Sequence, residues 1–186
     1  MRARGRGRKT GDGAARAVPS SLSIPEQIDA AREVALRLLA VRERSRAELR
    51  TRLRQRGFLP DAIEPMLDRL AETGLQDDRR FAERYAEEGV ARGKASRLIQ
   101  GELRRRGVGI ETAAAAAVAA PEDELARARS LARSKAARMI GGDDATRARR
   151  ILGMLARRGY DPETCRRVAA EVSEVDDPEL EDPEPL

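Results

Sequence analysis

Histidine and tryptophan are absent from this 186-residue chain, and Cys165 is its single cysteine. Histidine is the commonest general acid, general base and metal ligand, so its absence removes the side chain on which many enzymes depend. A lone cysteine cannot form a disulfide within the chain, and the helical spacing of Cys165 with Val168 and Ala169 indicates a small core residue. We therefore expect no catalytic residue, no metal site and no cofactor.

Long apolar runs are also missing. No segment approaches the roughly 20 apolar residues that cross a bilayer, and no apolar stretch follows the basic N-terminus as a secretion signal would require. These features predict a cytoplasmic protein that does not contact membranes. We also expect the protein to be a monomer.

Aromatic side chains are scarce, with two phenylalanines and two tyrosines in the whole chain. Phe58 and Tyr160 follow predicted helix ends, whereas Phe81 and Tyr85 lie on a predicted core face. No aromatic side chain therefore remains as a platform on which nucleic-acid bases could stack. Any binding of nucleic acid would depend on arginine and phosphate, with weak selectivity for base sequence and a strong dependence on salt.

A short phrase, Leu-x-x-Arg-Gly followed by an apolar residue, occurs three times, with its glycines at Gly57, Gly107 and Gly159. Directly after a helix, glycine readily takes the left-handed conformation that closes a Schellman motif, in which the leucine packs against the following apolar residue. The phrase therefore predicts three equivalent helix ends, 50 and 52 residues apart. Such a period is typical of repeat proteins whose neighbouring units share one core.

Each copy is predicted to contain three helices. Apolar residues recur within them at helical spacing, and no stretch shows the period-two alternation of a strand. Residues that favour helix N-termini precede several of these helices: Ser45, Asp77, Asp143 and Asp161. The predicted fold is all-α, an elongated array of three tandem three-helix repeats.

Composition changes abruptly at both ends of the repeats. The first 16 residues hold six basic residues and one acid, and the last 16 hold eight acids and no base, which predicts disorder at both ends. Positions 17–170 hold 31 basic and 23 acidic residues, so the repeats themselves carry a net charge of +8. The predicted organisation is a basic disordered extension (1–23), three repeats (24–74, 75–120 and 121–173) and an acidic disordered tail (174–186).

Positive charge concentrates on the second helix of each repeat and comes almost entirely from arginine, since three of the 37 basic residues are lysine. The planar guanidinium pairs with phosphate or carboxylate through two hydrogen bonds, which favours a polyanionic or acidic partner. One charged helix is commonplace and can be a solvated face, but recurrence on the same helix of three copies favours a binding surface. The candidate contact residues are Arg50, Arg54, Arg97, Arg104, Arg105, Arg149, Arg150 and Arg157.

The first two copies also carry a more specific pattern. The first copy contains Ala35-x-x-Leu38-Leu39-x-x-Arg42-x-Arg44-Ser45-x-x-Glu48-Leu49. The second contains Leu75-x-Asp77-Asp78-Arg79-Arg80-Phe81-Ala82-x-x-Tyr85, followed by Arg97-Leu98-Ile99-x-x-Glu102-Leu103-x-x-Arg106-Gly107-Val108. In these motifs and their order, over about residues 30–170, the chain resembles the RecX family of bacterial regulatory proteins.

The resemblance implies a non-enzymatic modulator of the RecA recombinase that acts in DNA repair. Proteins of this family bind RecA assembled on single-stranded DNA, block extension of the filament or promote its disassembly, and so reduce ATP hydrolysis, strand exchange and co-protease activity. The implied partners are the RecA filament and the phosphate backbone of its DNA. Positions that match the family signature are interpreted first as cap, core and helix-end residues: Asp77, Asp78, Phe81, Ala82, Tyr85, Gly57, Gly107 and Gly159.

Two other functional classes remain open from the sequence. A helix that ends at Gly57 and another that begins near Pro60 are locally similar to a helix-turn-helix, which would suit a DNA-binding regulator that does not contact RecA. A helical scaffold that binds neither is the third class. A filament regulator should suppress the RecA ATPase, and a DNA-binding regulator should keep binding a specific duplex sequence at physiological salt. A helical scaffold should do neither.

We predict that removal of residues 1–16 and 176–186 leaves the helical content and the melting temperature nearly unchanged, because neither segment can contribute to a core. Circular dichroism of the full chain and the truncated chain checks this. A large loss of helix would show that one of the tails docks on the repeats.

Overall fold

The computed structural model describes residues 22–118, 121–139 and 143–174, and within these ranges the regular structure is α-helix, without strands. The helices are α1 (Ile24–Val41), α2 (Arg46–Gln55), α3 (Pro60–Glu72), α4 (Asp78–Ala91), α5 (Ser96–Arg105), α6 (Ile110–Ala117), α7 (Pro121–Ala136), α8 (Asp144–Arg157) and α9 (Pro162–Glu174). The prediction of an all-α chain made of three tandem three-helix repeats is confirmed.

The chain divides into two compact units at the Asp77–Asp78 bond, with α1 to α3 in the first and α4 to α9 in the second. The predicted disordered ends fall almost entirely on residues outside the described ranges. At their inner edges, Ser23 hydrogen-bonds to Glu26 in the first turn of α1, and α9 extends to Glu174. The predicted repeat boundaries stay predictions.

The three glycine helix ends are formed as predicted. Gly57, Gly107 and Gly159 have positive φ angles of 90°, 80° and 88°, in the region that favours glycine. The N–H of the next residue donates to the carbonyl of the leucine four residues before the glycine, at 3.3, 3.1 and 3.3 Å. The side chains so paired are all buried: Leu53 with Phe58, Leu103 with Val108, and Leu155 with Tyr160.

The predicted local caps are also present where the structure describes them in detail. Ser45 Oγ accepts the N–H of Glu48 at 3.1 Å, and Asp143 Oδ1 accepts the N–H of Thr146 at 2.7 Å. Asp161 Oδ1 accepts two N–H groups from the first turn of α9, at 2.9 and 3.0 Å. Each carboxylate or hydroxyl thereby satisfies donors that have no partner within the helix.

Two helices that begin after an apolar residue are capped from elsewhere in the chain. The residue before α3 is Leu59, and its N–H donates to Gln27 Oε1 of α1 at 3.1 Å. The residue before α5 is Ala95, and Ser96 donates to Glu124 Oε2 of α7 through its N–H at 3.1 Å and its hydroxyl at 2.5 Å. Long-range side chains therefore replace the missing local caps.

In the first unit, an ion-pair cluster connects α2 to α3. Arg50 donates to both carboxylate oxygens of Glu64, at 2.6 and 2.8 Å. Arg46 donates to Glu64 at 3.1 Å and to Asp68 at 2.7 Å. The hydrogen bonds from Arg50, assisted by Arg46, outweigh partial burial and lower the pKa of Glu64 to about 2. We call Arg46, Arg50, Glu64 and Asp68 the α2–α3 clamp.

In the second unit, the third repeat packs directly on the second. The N–H of Ala95 donates to the carbonyl of Arg158 at 2.9 Å, and the Arg158 guanidinium donates to the carbonyl of Arg92 at 3.0 Å. Gly159 lies so close to α5 that a Cβ placed on it would be 2.4 Å from Cβ of Leu98 and 3.1 Å from the Leu98 nitrogen. The third helix end is thus also the contact between the two repeats.

These contacts predict that Gly159→Ala destabilises the protein more than Gly57→Ala. Both variants place a Cβ on a left-handed residue, which costs about 1–2 kcal/mol, and a Cβ at Gly57 meets no atom within 4 Å. At Gly159 the overlap with Leu98 should add about 1–3 kcal/mol, because backbone cannot move aside as a flexible side chain can. Urea unfolding of both variants measures the difference, and equal losses would contradict the close contact.

A second prediction concerns the acid sensitivity of the α2–α3 clamp. Because the pKa of Glu64 is about 2 in the folded protein, against an ordinary 4.5, its contribution to stability is complete above about pH 5 and disappears as the pH falls towards 2. The gap in unfolding free energy between wild type and Glu64→Gln should therefore be larger at neutral pH than at about pH 3.

Glu72→Gln, at an exposed position of the same helix, is the matched control. Its gap to wild type should be small at both pH values, because an exposed carboxylate adds little to stability. A Glu64→Gln gap that does not change with pH would show that the clamp does not act through the ionised carboxylate.

Candidate binding surface

The predicted contact residues of the second repeat lie on the solvent side of α5. Arg97, Arg104 and Arg105 are exposed, whereas Ile99 and Leu103 of the same helix are fully buried. Burial of the apolar stripe determines the rotation of the helix, so the three guanidinium groups are directed away from the core. The structure therefore brings these three predicted residues together on the exposed side of one helix.

A half-buried polar cluster holds α5 against α4. Tyr85 of α4 donates its hydroxyl hydrogen to Glu102 at 2.8 Å, and the Lys94 ammonium bonds the same carboxylate. Arg106 lies with its guanidinium carbon 4.7 Å from the centroid of the Tyr85 ring, a cation–π distance. Burial opposes ionisation of Glu102, but the hydrogen bonds from Lys94 and Tyr85 outweigh it and lower its pKa. The cluster fixes the end of α5 that carries Arg104 and Arg105.

The signature residues of α4 occupy the positions interpreted as structural. Phe81 and Ala82 are buried, and the Phe81 ring lies 6.0 Å from that of Tyr85. Asp77 directly precedes α4, and Asp78 is its first residue, where an acid interacts favourably with the helix dipole. None of these side chains extends the exposed arginine surface.

The third repeat presents a similar helix. On α8, Arg149, Arg150 and Arg157 are exposed, whereas Ile151 and Leu155 are fully buried. Because Gly159 lies against Leu98, the end of α8 meets the beginning of α5 within the second unit. We call the exposed arginines of these two helices the basic face: Arg97, Arg104, Arg105, Arg149, Arg150 and Arg157.

The first repeat differs from the other two. Arg54 is exposed, but Arg50 is only partly so, and its guanidinium is bound to both oxygens of Glu64. The structure thus places Arg50 in the α2–α3 clamp, where its Nε and Nη2 groups already have a carboxylate partner. Sequence spacing alone does not distinguish it from Arg54, because its partner lies on another helix.

No group of three or more metal-ligating side chains occurs within the described ranges. Likewise, none of the helices in the described part of the chain combines the length and the apolar character that crossing a membrane requires. Cys165 is buried, and burial raises the pKa of its thiol. On the exposed sides of α5 and α8, the predicted contact residues offer guanidinium groups.

Comparison with known proteins adds three family matches. Residues 31–70 match the first three-helix domain of RecX, residues 77–116 the second and residues 122–169 the third. These ranges contain the predicted helix ends and the exposed arginines of α2, α5 and α8.

Whole-chain relatives and solved structures agree with these matches. Regulatory protein RecX of Thermobifida fusca is 41% identical over 170 residues, covering 90% of this chain and 92% of that protein. The Mycobacterium avium protein of the same name is 42% identical over 160 residues, covering 83% and 92%. The crystal structure of RecX from Lactobacillus salivarius shares the fold, with a TM-score of 0.70 and 20% identity over 81% of this chain and 99% of that one. The chain therefore belongs to the RecX family of regulatory proteins.

Proposed function

We propose that this protein binds RecA assembled on single-stranded DNA and inhibits the recombinase, ATPase and co-protease activities of the filament. The single observation that carries the proposal is the basic face, which combines exposed arginines from two repeats of a chain whose relatives are named regulatory proteins. The arginines contact phosphate along the DNA, acidic groups on RecA, or both. The protein acts by occupying the filament, without catalysis.

The chemistry of the basic face suits a phosphate backbone better than base recognition. Guanidinium groups bind phosphate through paired hydrogen bonds and release condensed counterions, which makes affinity fall steeply with salt. Stacking of single-stranded bases relies on exposed aromatic rings. Here Phe58, Phe81 and Tyr160 are buried, and the Tyr85 ring is covered by Arg106. Binding should therefore follow the backbone with little preference for base sequence.

A second candidate function rests on the short connections within the repeats. Residues 56–59 join α2 to α3, and residues 158–161 join α8 to α9, an arrangement locally similar to a helix-turn-helix. A DNA-binding regulator of that kind would retain a specific duplex site at physiological salt. The Schellman motifs already account for these turns, which favours the filament regulator.

Titration into RecA turning over ATP on single-stranded DNA tests the proposal directly. A filament regulator should suppress hydrolysis well below one molecule per RecA subunit, because one bound molecule can block growth of a whole filament. Unchanged hydrolysis at saturating amounts would exclude it. Specific binding of one duplex DNA sequence at physiological salt would support the second candidate function, that of a DNA-binding regulator.

We predict that the Arg97→Ala, Arg104→Ala, Arg105→Ala triple variant folds but inhibits RecA less. Alanine favours helix, and the three positions lie outside the buried stripe of α5. Each lost contact with a single-strand phosphate should reduce the slope of log affinity against log salt by about 0.7. Inhibition assays across a salt series measure both quantities.

The matched control removes three exposed arginines elsewhere, Arg69 of α3 and Arg166 and Arg167 of α9, so that both triple variants carry the same net charge. Only the α5 variant should lose inhibition. If the α5 variant inhibited RecA as strongly as the control variant, the exposed side of α5 would be a solvated surface without a role in binding. If the α5 variant inhibited less but kept the wild-type salt slope, these arginines would contact acidic groups of RecA and not DNA phosphates.

A further inference from the structure

A groove of about 720 Å³ lies between α4 and α6 on the second repeat. Its apolar part consists of Ala86 and Val90 from α4, Ala115 and Ala116 from α6, and the exposed Val118 that follows α6. The groove exists because α6 is an alanine helix: Ala113 and Ala117 fill the core side, and the methyl groups on the other side are too short to cover the neighbouring surface of α4.

The rim of the groove is acidic, whereas the repeats as a whole carry a net positive charge. Glu83 and Glu87 of α4 and Glu111 of α6 line it, all exposed, together with one base, Arg79. Arg79 donates to Glu83 at 2.9 Å, which leaves a local net charge of −2 in a chain whose net charge is +5. Such a rim repels phosphate, so the groove and the basic face suit ligands of opposite charge.

The length of the groove along α4 suits a short helix. The α4 side extends from Arg79 to Val90, which is roughly 16 Å at 1.5 Å per residue, or about three helical turns. An amphipathic helix laid between two helices places apolar residues at i, i+3, i+4 and i+7 on the floor, and its flanking residues meet the rim. Alanines on the floor allow the backbone of such a helix to approach closely.

We propose that the groove between α4 and α6 is a docking site for a basic amphipathic helix of a partner protein, with small or aliphatic residues on one face and arginine or lysine on its flanks. The methyl-lined floor takes the apolar face, and Glu87 and Glu111 pair with the flanking cations. This site is independent of the proposed function of the basic face. One molecule then offers a phosphate-binding surface and a separate surface for protein.

Fluorescence anisotropy of the full chain with a labelled model peptide tests the proposal. The probe is a three-turn helical peptide with leucine and alanine on one face and arginine on both flanks, and a second peptide carries glutamate in place of each arginine. The arginine peptide should bind with an affinity that falls as salt rises, and the glutamate peptide should not bind. Equal binding of both peptides would overturn the proposal.

Ala115→Arg places a long cation in the groove and should weaken peptide binding by about tenfold or more, since it fills the floor and reduces the negative charge of the rim. Ala170→Arg, at an exposed alanine of α9, adds the same charge elsewhere and should leave binding unchanged. Arginine is a good helix former, so both variants should keep the circular dichroism of the wild type. Equal weakening by the two variants would show that the peptide responds only to net charge.

The rim is tested by Glu87→Gln with Glu111→Gln, compared with Glu72→Gln and Glu163→Gln. Glu111 and Glu163 both lie in the first turn of a helix, so the two double variants lose similar helix-end interactions. The rim variant should bind the arginine peptide about fivefold or more weakly, and the control variant should bind as wild type. A different result would overturn the proposal: deletion of the acidic residues 176–186 abolishes peptide binding, and the rim variant binds as wild type. The peptide would then bind the acidic tail and not the groove.

Discussion

The left-handed glycine that ends the second helix of each repeat is the constraint on which the rest of the fold depends. It reverses the chain within a few residues and brings a leucine of the helix against the apolar residue that follows, as Leu53 meets Phe58 in the first repeat. That contact places the third helix beside the second, and the apolar stripe of the second helix must then face inward. Exposure of the arginines on the opposite side follows from the same geometry.

The same motif serves a further purpose at Gly159. Its missing side chain leaves room for the backbone of Leu98, and the carbonyl of the preceding Arg158 accepts the N–H of Ala95. Glu124 adds a carboxylate over the first turn of α5. The start of the basic helix of the second repeat is therefore held by atoms of the third, which makes the geometry of the basic face a property of two repeats together.

Features that depend on neighbours in the sequence could be predicted from the sequence. The glycine ends, the caps at Ser45 and Asp143 and the burial of Phe81 all follow from residues a few positions apart, and the family resemblance rests on the same motifs. Features that depend on which side chains meet across helices could not be predicted. Gln27 and Glu124 cap helices 32 and 28 residues away, and nothing in their own surroundings marks them as caps. Arg50 and Arg54 have the same local pattern, but only Arg50 lies opposite Glu64.

Because the second and third repeats are in contact, the compact units of the structure do not coincide with the repeats of the sequence. The sequence repeats three times, but the compact units contain one repeat and two. A boundary drawn after α6 would respect the period and still remove the carboxylate that satisfies the N–H of Ser96 and the carbonyl that receives the N–H of Ala95. In the second unit the two repeats therefore form one structural piece, in which substitutions in either repeat are constrained by the backbone of the other.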